Sequence, residues 1–413
     1  MNYTERSTDT RTVRVREVSE SIQYGHTASA VVRKQGPRFL RITDIQEGKV
    51  DWESVPSCDI VAEDVPKYRL SKGDLVFART GATTGKSFLI RDCPEAVFAS
   101  YLIRVRASED VDPRYLALFF QSPDYWEQIE RGKRGIGQPN VNGKVLGEIE
   151  LPLPPLDEQQ QIVAEIEKHF TRLDAGVALL KRVQTALKRY RASILKAACE
   201  GRLVPSDKAK WHELTLPDFC SPAANSIRRG PFGSAIKKEF FMPSGYKVYQ
   251  QQNAIYDDCS LGNYYIGNAK FRELASFEVK PNDLIISCSG TIGKIAIVPS
   301  WARAGIINQA LLKITLDQGV VLNAFFVIMF RSRVRELLIA AARGAAMQNI
   351  AGVAELKKIK WRIPPLAEQQ RIVAEVERRF SLVDKLGSTV NLHLRRADRL
   401  RRSILQQAFR SGS

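Results

Sequence analysis

"PPLDEQQQIVAEIEKHF", residues 154 to 170, is answered by "PPLAEQQRIVAEVERRF", residues 364 to 380, with 12 of 17 positions identical at an offset of 210. Chance does not produce such a match, so the chain is written twice. The offset holds without a gap back to Ser122 and Ser332 ("FFQSP" and "MFRSR"), through Gln138 and Gln348, and forward to "RASILKAA" and "RRSILQQA". Farther upstream "GDLVFARTGATTGK" answers "NDLIISCSGTIGK" and "ASYLIRV" answers "NQALLKI", the offset drifting to 209 or 208. A unit of about 200 residues is far longer than a solenoid repeat of about 20 to 50. Two tandem copies of that size predict a pseudo-two-fold molecule.

Each copy changes character at its Pro-Pro step. Before it, short β-type runs alternate with turns ("RFLRITDI", "DLVFAR", "SFLIRD", "SYLIRVRA") and lead into the helical "PRYLALFFQSPDYWEQIE", which predicts a mixed α+β domain. After it, Ile162, Ile166, Leu173, Val177, Leu180, Leu187 and Ile194 keep helical spacing. Ile372, Val376, Val383, Val390, Leu394, Ala397 and Ile404 do the same in the second copy. Proline excludes α geometry in the residue before it, so each helix starts just beyond the pair; Asp157 can cap the first and Ala367 cannot cap the second. From Asp157 to Glu200 a continuous helix with a rise of 1.5 Å per residue would extend roughly 65 Å. Two such stripes satisfy each other in an antiparallel coiled coil; the alternative is that each packs on its own globular domain. The expected domains are 1–153 and 206–363, with spacer helices over 154–205 and 364–413. "EGRLVPSDKAKWHEL" (200 to 214) reads as helix end, short linker and entry into the second domain.

The 413 residues suit two or three domains. The net charge of +17 points to a polyanionic partner: nucleic acid, an acidic protein or a lipid surface. Up to residue 205 the chain has 31 Lys+Arg against 28 Asp+Glu, and beyond it 31 against 17. The second half therefore feels a phosphate backbone more strongly, with steep salt dependence if the partner is nucleic acid. Six cysteines (Cys58, Cys93, Cys199, Cys220, Cys259, Cys288) form no C-x-x-C pair and only four histidines occur, so neither a disulfide framework nor a zinc site is expected. That usage predicts a reducing, cytoplasmic setting. The polar start "MNYTERSTDT" and the lack of any apolar run near 18 residues predict a soluble protein that is neither secreted nor inserted in a membrane.

"RTGATTGKSF" (79 to 88) resembles a phosphate-binding loop, but Gly81 and Gly85 enclose three residues where that loop needs four. The second copy encloses two, between Gly290 and Gly293, and places Ile295 where a Mg-binding hydroxyl belongs. The strand-like flanks instead make Gly81 to Gly85 a hairpin tip whose glycines supply positive φ. That tip carries Arg79, Thr80, Thr83, Thr84, Lys86 and Ser87, donors suited to phosphate or base edges, unless it is an ordinary solvated turn.

Taken together, the duplicated P-P-L-x-E-Q-Q-x-I-V-A-E, a preceding G-x-x-Q segment, G-D-L-x-x-x-R-x-G-x-x-x-G-K upstream and a S-I-L-x-x-A helix end resemble the specificity subunit of a type I restriction-modification system. The likeness covers essentially all of both repeats. It implies two target recognition domains, each reading one half of a split double-stranded DNA sequence, held apart by paired helices. It also implies two modification subunits that carry the S-adenosylmethionine site and methylate adenine, and restriction subunits that use ATP and Mg to translocate and cut. On this reading the chain holds no cofactor and is not an enzyme. Consistently, it has no Asn/Asp-Pro-Pro-aromatic methyltransferase motif and no Walker loop. Two departures stand out: Ser287-Cys288-Ser289 replaces Ala78-Arg79-Thr80, and "FRSGS" has no counterpart of "GRLVP". Rival readings are an NTP-dependent or nuclease enzyme, resting only on the glycine-rich loop, and a coiled-coil adaptor without its own DNA readout.

Base readout needs paired donors and acceptors, Arg for guanine and Asn or Gln for adenine. The first domain offers Arg38, Arg41, Arg79, Thr80, Lys86, Arg134, Gln138, Asn140 and Asn142. The second offers Arg228, Arg229, Gln250, Gln251, Gln252, Asn253, Lys294, Arg343, Gln348 and Asn349. "RGKRGIGQPNVNGK" (131 to 144) alternates cations and amides among glycines, and "ARGAAMQNIAG" (342 to 352) is its counterpart. Gln138 and Gln348 can equally brace the following helix. Tyr24, His26 and Trp126 read as packing residues, and "RRADRLRR" (395 to 402) as a solvated helix face. Because the loops differ while the frames match, the target is expected to be asymmetric and bipartite. Its unread gap is expected to follow helix length, a deleted heptad moving a domain by about 10 Å, or about three base pairs.

Overall fold

The computed structural model describes residues 10–32, 36–46, 48–132, 141–232, 235–342 and 353–409. It divides into two compact units, residues 1–181 with 391–413, and residues 182–390. Each unit therefore contains one globular domain and a part of each long helix.

In the first unit an antiparallel sheet runs in the order Ser19–Tyr24, Leu102–Ala107, Leu75–Ala78, Ser87–Leu89. The second unit repeats that order with Ile227–Arg229, Leu311–Ile314, Leu284–Ser287, Ile295–Ile297. "LVFA" and "LIIS" are buried along their whole length, as continuous apolar runs covered on both faces must be. A further sheet in each unit is built on a parallel pair, Arg38–Leu40 with Ala96–Phe98 and Tyr246–Tyr249 with Gly305–Ile307. Leu102 stands opposite Ala78 and Leu311 opposite Ser287, so the registers superpose residue by residue. Just past the first strand of each antiparallel sheet, Gly25 N–H donates to the Leu102 carbonyl and Gly230 N–H to the Leu311 carbonyl. A Cβ would lie 2.3 Å from the Ala99 carbonyl oxygen at Gly25 and 1.8 Å from that of Asn308 at Gly230, so only glycine fits there.

Each domain is fastened at its ends. Arg11–Arg14 pairs antiparallel with Glu150–Leu153, and His212–Thr215 with Lys360–Ile363. The chain then enters the long helices Leu156–Cys199 and Leu366–Phe409, 44 residues each. Gln159 N–H donates to the Pro155 carbonyl, so the first helix begins before Asp157. Asp157 is thus not a cap; it lies in the first turn, where it complements the helix dipole. The shared glutamine inside the motif does the anchoring. Gln159 is buried, donates from Nε2 to the Pro154 carbonyl and accepts at Oε1 from Asp112 N–H, both at 2.9 Å. Gln369 repeats this, donating to the Pro364 and Val320 carbonyls and accepting from Leu322 N–H, all at 2.9 Å.

Both expectations for the apolar stripes hold, along different stretches. Ile162, Val163, Ile166 and Phe170 sink into the first domain's core beside Tyr115, Phe119 and Phe120, joined there by Leu405, Ala408 and Phe409 from the end of the second helix. In the second unit Ile372, Val376 and Val383 share a core with Ile194 and Ala198 from the end of the first. Elsewhere the helices pair antiparallel. Arg191 donates to Asp384 at 2.6 Å and lies 4.2 Å from the centroid of the Phe380 ring. Arg401 makes the same bond to Asp174 and lies 4.1 Å from the centroid of the Phe170 ring. Arg401 is therefore a clamp within the run read as solvated, while Arg395, Arg396, Arg399 and Arg402 are exposed.

A buried acid accompanies each antiparallel sheet. Asp74 accepts a fork from Arg106, at 2.8 and 3.0 Å. Asp283 accepts from the Thr315 hydroxyl at 2.5 Å and lies 3.9 Å from the buried Lys313 ammonium; burial pushes its carboxyl up and the Lys313 amine down.

Candidate nucleic-acid interface

The glycine-rich stretch is a hairpin turn. Phe77 stands opposite Ser87 in the flanking strands, and Gly81 and Gly85 have φ of 85° and 86°. Gly85 N–H donates to the Ala78 carbonyl at 2.8 Å, and the buried Thr84 hydroxyl to the Gly81 carbonyl at 2.7 Å. From below, the Tyr125 hydroxyl donates to the Gly85 carbonyl at 2.6 Å, with Trp126 packed behind. The Thr84, Gly85 and Lys86 amides are thus spent inside the turn, on the Gly81, Ala78 and Thr83 carbonyls.

Thr80 and Lys86 are exposed on this tip. The Arg79 guanidinium lies 5.1 Å from the centroid of the Tyr24 ring, and its Nε is buried without a hydrogen-bond partner among the described residues. Tyr24, which reads from sequence as a core or packing residue, is 41% exposed and carries Arg79 on its face. His26 and Trp126 do pack, His26 tilted against Tyr68 with centroids 5.2 Å apart. Val141 N–H donates to the Arg79 carbonyl and Gly143 N–H to the Tyr24 hydroxyl, both at 2.9 Å, which ties the chain after residue 140 to the hairpin. Asn142 caps the short helix Gly143–Gly147 by accepting from Val145 N–H, a structural rather than a reading role. Arg41 neighbours the tip through Tyr101, whose carbonyl accepts from Arg79 N–H, but its guanidinium is forked onto Asp44. Burial pushes the Tyr101 phenol up and the Arg41 charge opposes that rise. Arg38 donates to the Val55 carbonyl at 3.0 Å and is turned inward. Arg134, Gln138 and Asn140, with Arg343, Gln348 and Asn349 of the second copy, lie outside the described residues.

The second tip is one residue shorter, with Gly290 and Gly293 at φ of 64° and 76°. Ser287 N–H donates to the Lys294 carbonyl and Gly293 N–H to that of Ser287, both at 2.9 Å, as Ala78 and Gly85 do in the first copy. Cys288 thus stands where Arg79 stands, and the exposed Lys294 where Lys86 does. Cys288 is buried, and burial pushes its thiol up to about 11.

Strand alternation sends Arg228 and Arg229 to opposite faces. Arg228 lies 4.7 Å from the centroid of the Phe277 ring and donates to the Ser276 hydroxyl at 3.5 Å, whereas Arg229 faces Cys288 and donates from Nε to the Gln309 carbonyl at 3.2 Å. Gln251 lies beside Gly290, its Oε1 buried and without a partner among the described residues. Gln250 and Gln252 bond to each other at 3.3 Å. Asn253 must be withdrawn as a reader. It is buried, accepts from Gln250 N–H and donates to the Asp258 and Leu261 carbonyls, so its amide braces a loop. The structure therefore gathers Arg79, Thr80 and Lys86 at one tip and Arg229, Gln251 and Lys294 at the other, leaving Arg38, Arg228 and Asn253 aside.

Among the described residues no helix is long and apolar enough to cross a membrane, and no group of His, Cys, Asp and Glu is placed to hold a metal ion. Residues 18–189 and 223–384 each match the family described as the type I restriction modification DNA specificity domain. The chain is 24% identical to the Type I restriction enzyme EcoBI specificity subunit of Escherichia coli, over 92% of this chain and 80% of that one. It is 26% identical to the StySPI specificity subunit of Salmonella potsdam, over 90% and 81%. Among solved structures, a chain from work on complex assembly and conformational transition of the type I R-M system superposes with a TM-score of 0.76 at 19% identity, covering 98% of this chain and 99% of that one. The HsdS subunit from Thermoanaerobacter tengcongensis does so with 0.56 at 21%, covering 98% of each. Both copies match this family and share one frame, so the chain belongs to the type I restriction-modification DNA specificity family.

Proposed function

We propose that this chain is the sequence-reading subunit of a type I restriction-modification complex. It would bind an asymmetric, bipartite site in double-stranded DNA through one half-site per domain and act as scaffold for catalytic partners. The observation that carries this reading is the pair of hairpin tips: superposable frames present different side chains, so the two domains suit different sequences. The partners are two modification subunits with the S-adenosylmethionine site and restriction subunits that use ATP and Mg; the chain itself supplies recognition and no catalysis. The setting is the cytoplasm. The long helices set the unread gap, so removing a heptad from both is expected to shorten it by about three base pairs.

The test is co-expression with a modification subunit and genome-wide mapping of methylated adenines. The expected result is a split motif of which one half changes when residues 1–153 are exchanged and the other when 206–363 are exchanged. A stable complex that methylates no defined motif would reject DNA reading and leave the helices as an adaptor.

A further inference from the structure

We infer that each recognition tip presents one fixed guanidinium to the edge of a guanine, Arg79 in the first domain and Arg229 in the second, and that the two reach it from different strands of the same frame. The inference rests on the DNA-reading function proposed above.

Register establishes the equivalence. Leu102 opposes Ala78 as Leu311 opposes Ser287, and one residue on, Ile103 opposes Tyr24 as Leu312 opposes Arg229. Tyr24 and Arg229 therefore hold the same position on the same strand, while Arg79 and Cys288 hold the same position on the hairpin. The first copy puts an aromatic ring on the strand and the cation on the hairpin; the second puts the cation on the strand and a buried thiol on the hairpin. The charge is kept and its carrier moves. Tyr24's strand and the hairpin are separated by one intervening strand, so the carrier moves by two strand spacings, roughly 10 Å.

Both guanidinium groups are held on one side, and both arginines are half-buried. Arg79 lies on the Tyr24 face with its Nε buried, and Arg229 commits its Nε to the Gln309 carbonyl. Among the described residues no acceptor is bonded to the terminal nitrogens of either. Other arginines of the first domain differ: the forks of Arg41, Arg106 and Arg114 are closed by Asp44, Asp74 and Asp112. Two terminal donors on a held plane match guanine N7 and O6, and a side chain already held loses little freedom on binding. Lys86 and Lys294, at matching positions and exposed, suit phosphates that bracket the base. The attachment points differ by two strand spacings while each side chain leans toward the other's position, Arg79 over Tyr24 and Arg229 toward Cys288, so each tip reaches a guanine edge from its own strand.

The experiment uses the full chain assembled with its modification subunit, and reads methylation motifs of Arg79→Ala, Arg79→Lys, Arg229→Ala and Arg229→Lys. Each wild-type half-site is expected to contain a G·C pair. The Arg79 variants are expected to lose preference for it by roughly 10- to 100-fold at one position of one half, with the other half intact, and the Arg229 variants to do the reverse. Lysine is expected to keep part of the preference that alanine loses, because an ammonium still reaches guanine O6 and N7 but without a fixed plane. A wild-type half-site without a G·C pair would overturn the inference. So would variants that methylate uniformly less while every position stays specified, the signature of a phosphate contact. If a single variant fails to assemble, Arg79→Cys combined with Tyr24→Arg rebuilds the second tip in the first domain. It is expected to keep a specified G·C pair in that half-site, and a half-site that no longer specifies one overturns the inference. A wild-type complex with no bipartite motif would instead reject the underlying function, and the inference with it.

Discussion

Gln369 and Gln370 are neighbours of one residue type, yet one is fully buried and the other exposed. Replacing Gln369 by alanine leaves Leu322 N–H and the Val320 and Pro364 carbonyls without their partner in the interior. We expect a loss of about 2–4 kcal/mol in denaturant unfolding, against about zero for Gln370→Ala. Nothing in the string E-Q-Q tells the two apart, because the bonds that distinguish them reach 47 residues back to Leu322. Asn253 failed as a reader for the same reason: an amide that braces a loop and one that reads adenine are spelled alike. Arg228 and Arg229, in contrast, could have been separated by strand alternation alone. A second residue-scale expectation concerns acid. Hydrogen bonds from Arg378 and then Arg379 pull the Glu375 carboxyl down to about 2. A depressed carboxylate stabilises the fold above its ordinary value of 4.5 and loses that contribution as pH falls toward 2. Helical circular dichroism followed from pH 6 to 2 should therefore fall less between those values in Glu375→Gln than in wild type, and the difference should shrink at high salt because the ion pairs are partly exposed.

At the scale of elements, the spacer helices were legible because a stripe of period 3.5 to 3.6 survives any change in the residues between its members. The clamps that fix their pairing were not, since Arg401 sits in a run of arginines whose spacing favours no single one. Arg191→Ala and Arg401→Ala each remove an ion pair and a ring contact at partly exposed sites, and each is expected to cost about 0.5–1.5 kcal/mol. The two share no partner, so the double variant should show the sum of the two in thermal unfolding. A cost in the double variant far above that sum would mean that the helices come apart as one unit. The hairpin tips were equally legible, from glycine spacing between strand-like runs. Tyr24 was not, because a tyrosine on a strand faces core or solvent according to its register, and register belongs to the sheet.

For the whole molecule, duplication told that two like domains stand in tandem. It did not tell which helix end fills which core. Phe409 lies against Tyr115 and Phe119 with ring centroids 5.1 and 5.5 Å apart, although it stands at the far end of the second copy. Ile194 and Ala198, from the first copy, are fully buried in the second domain's core. A fragment of residues 1–205 would thus have a vacant apolar seat where Leu405, Ala408 and Phe409 belong, and would itself carry Leu195, Ala198 and Cys199 at the matching positions. Light scattering should find that fragment dimeric, and Ala198→Asp should abolish the dimer; a monodisperse, folded monomer would contradict the expectation. Such a pair would have exact two-fold symmetry and would call for a palindrome. The reciprocal helix ends thus describe a homodimer joined into one polypeptide. Once its halves were inherited as a single gene, each was free to mutate without the other, and the target could lose its symmetry while the protein kept the frame that symmetry had built.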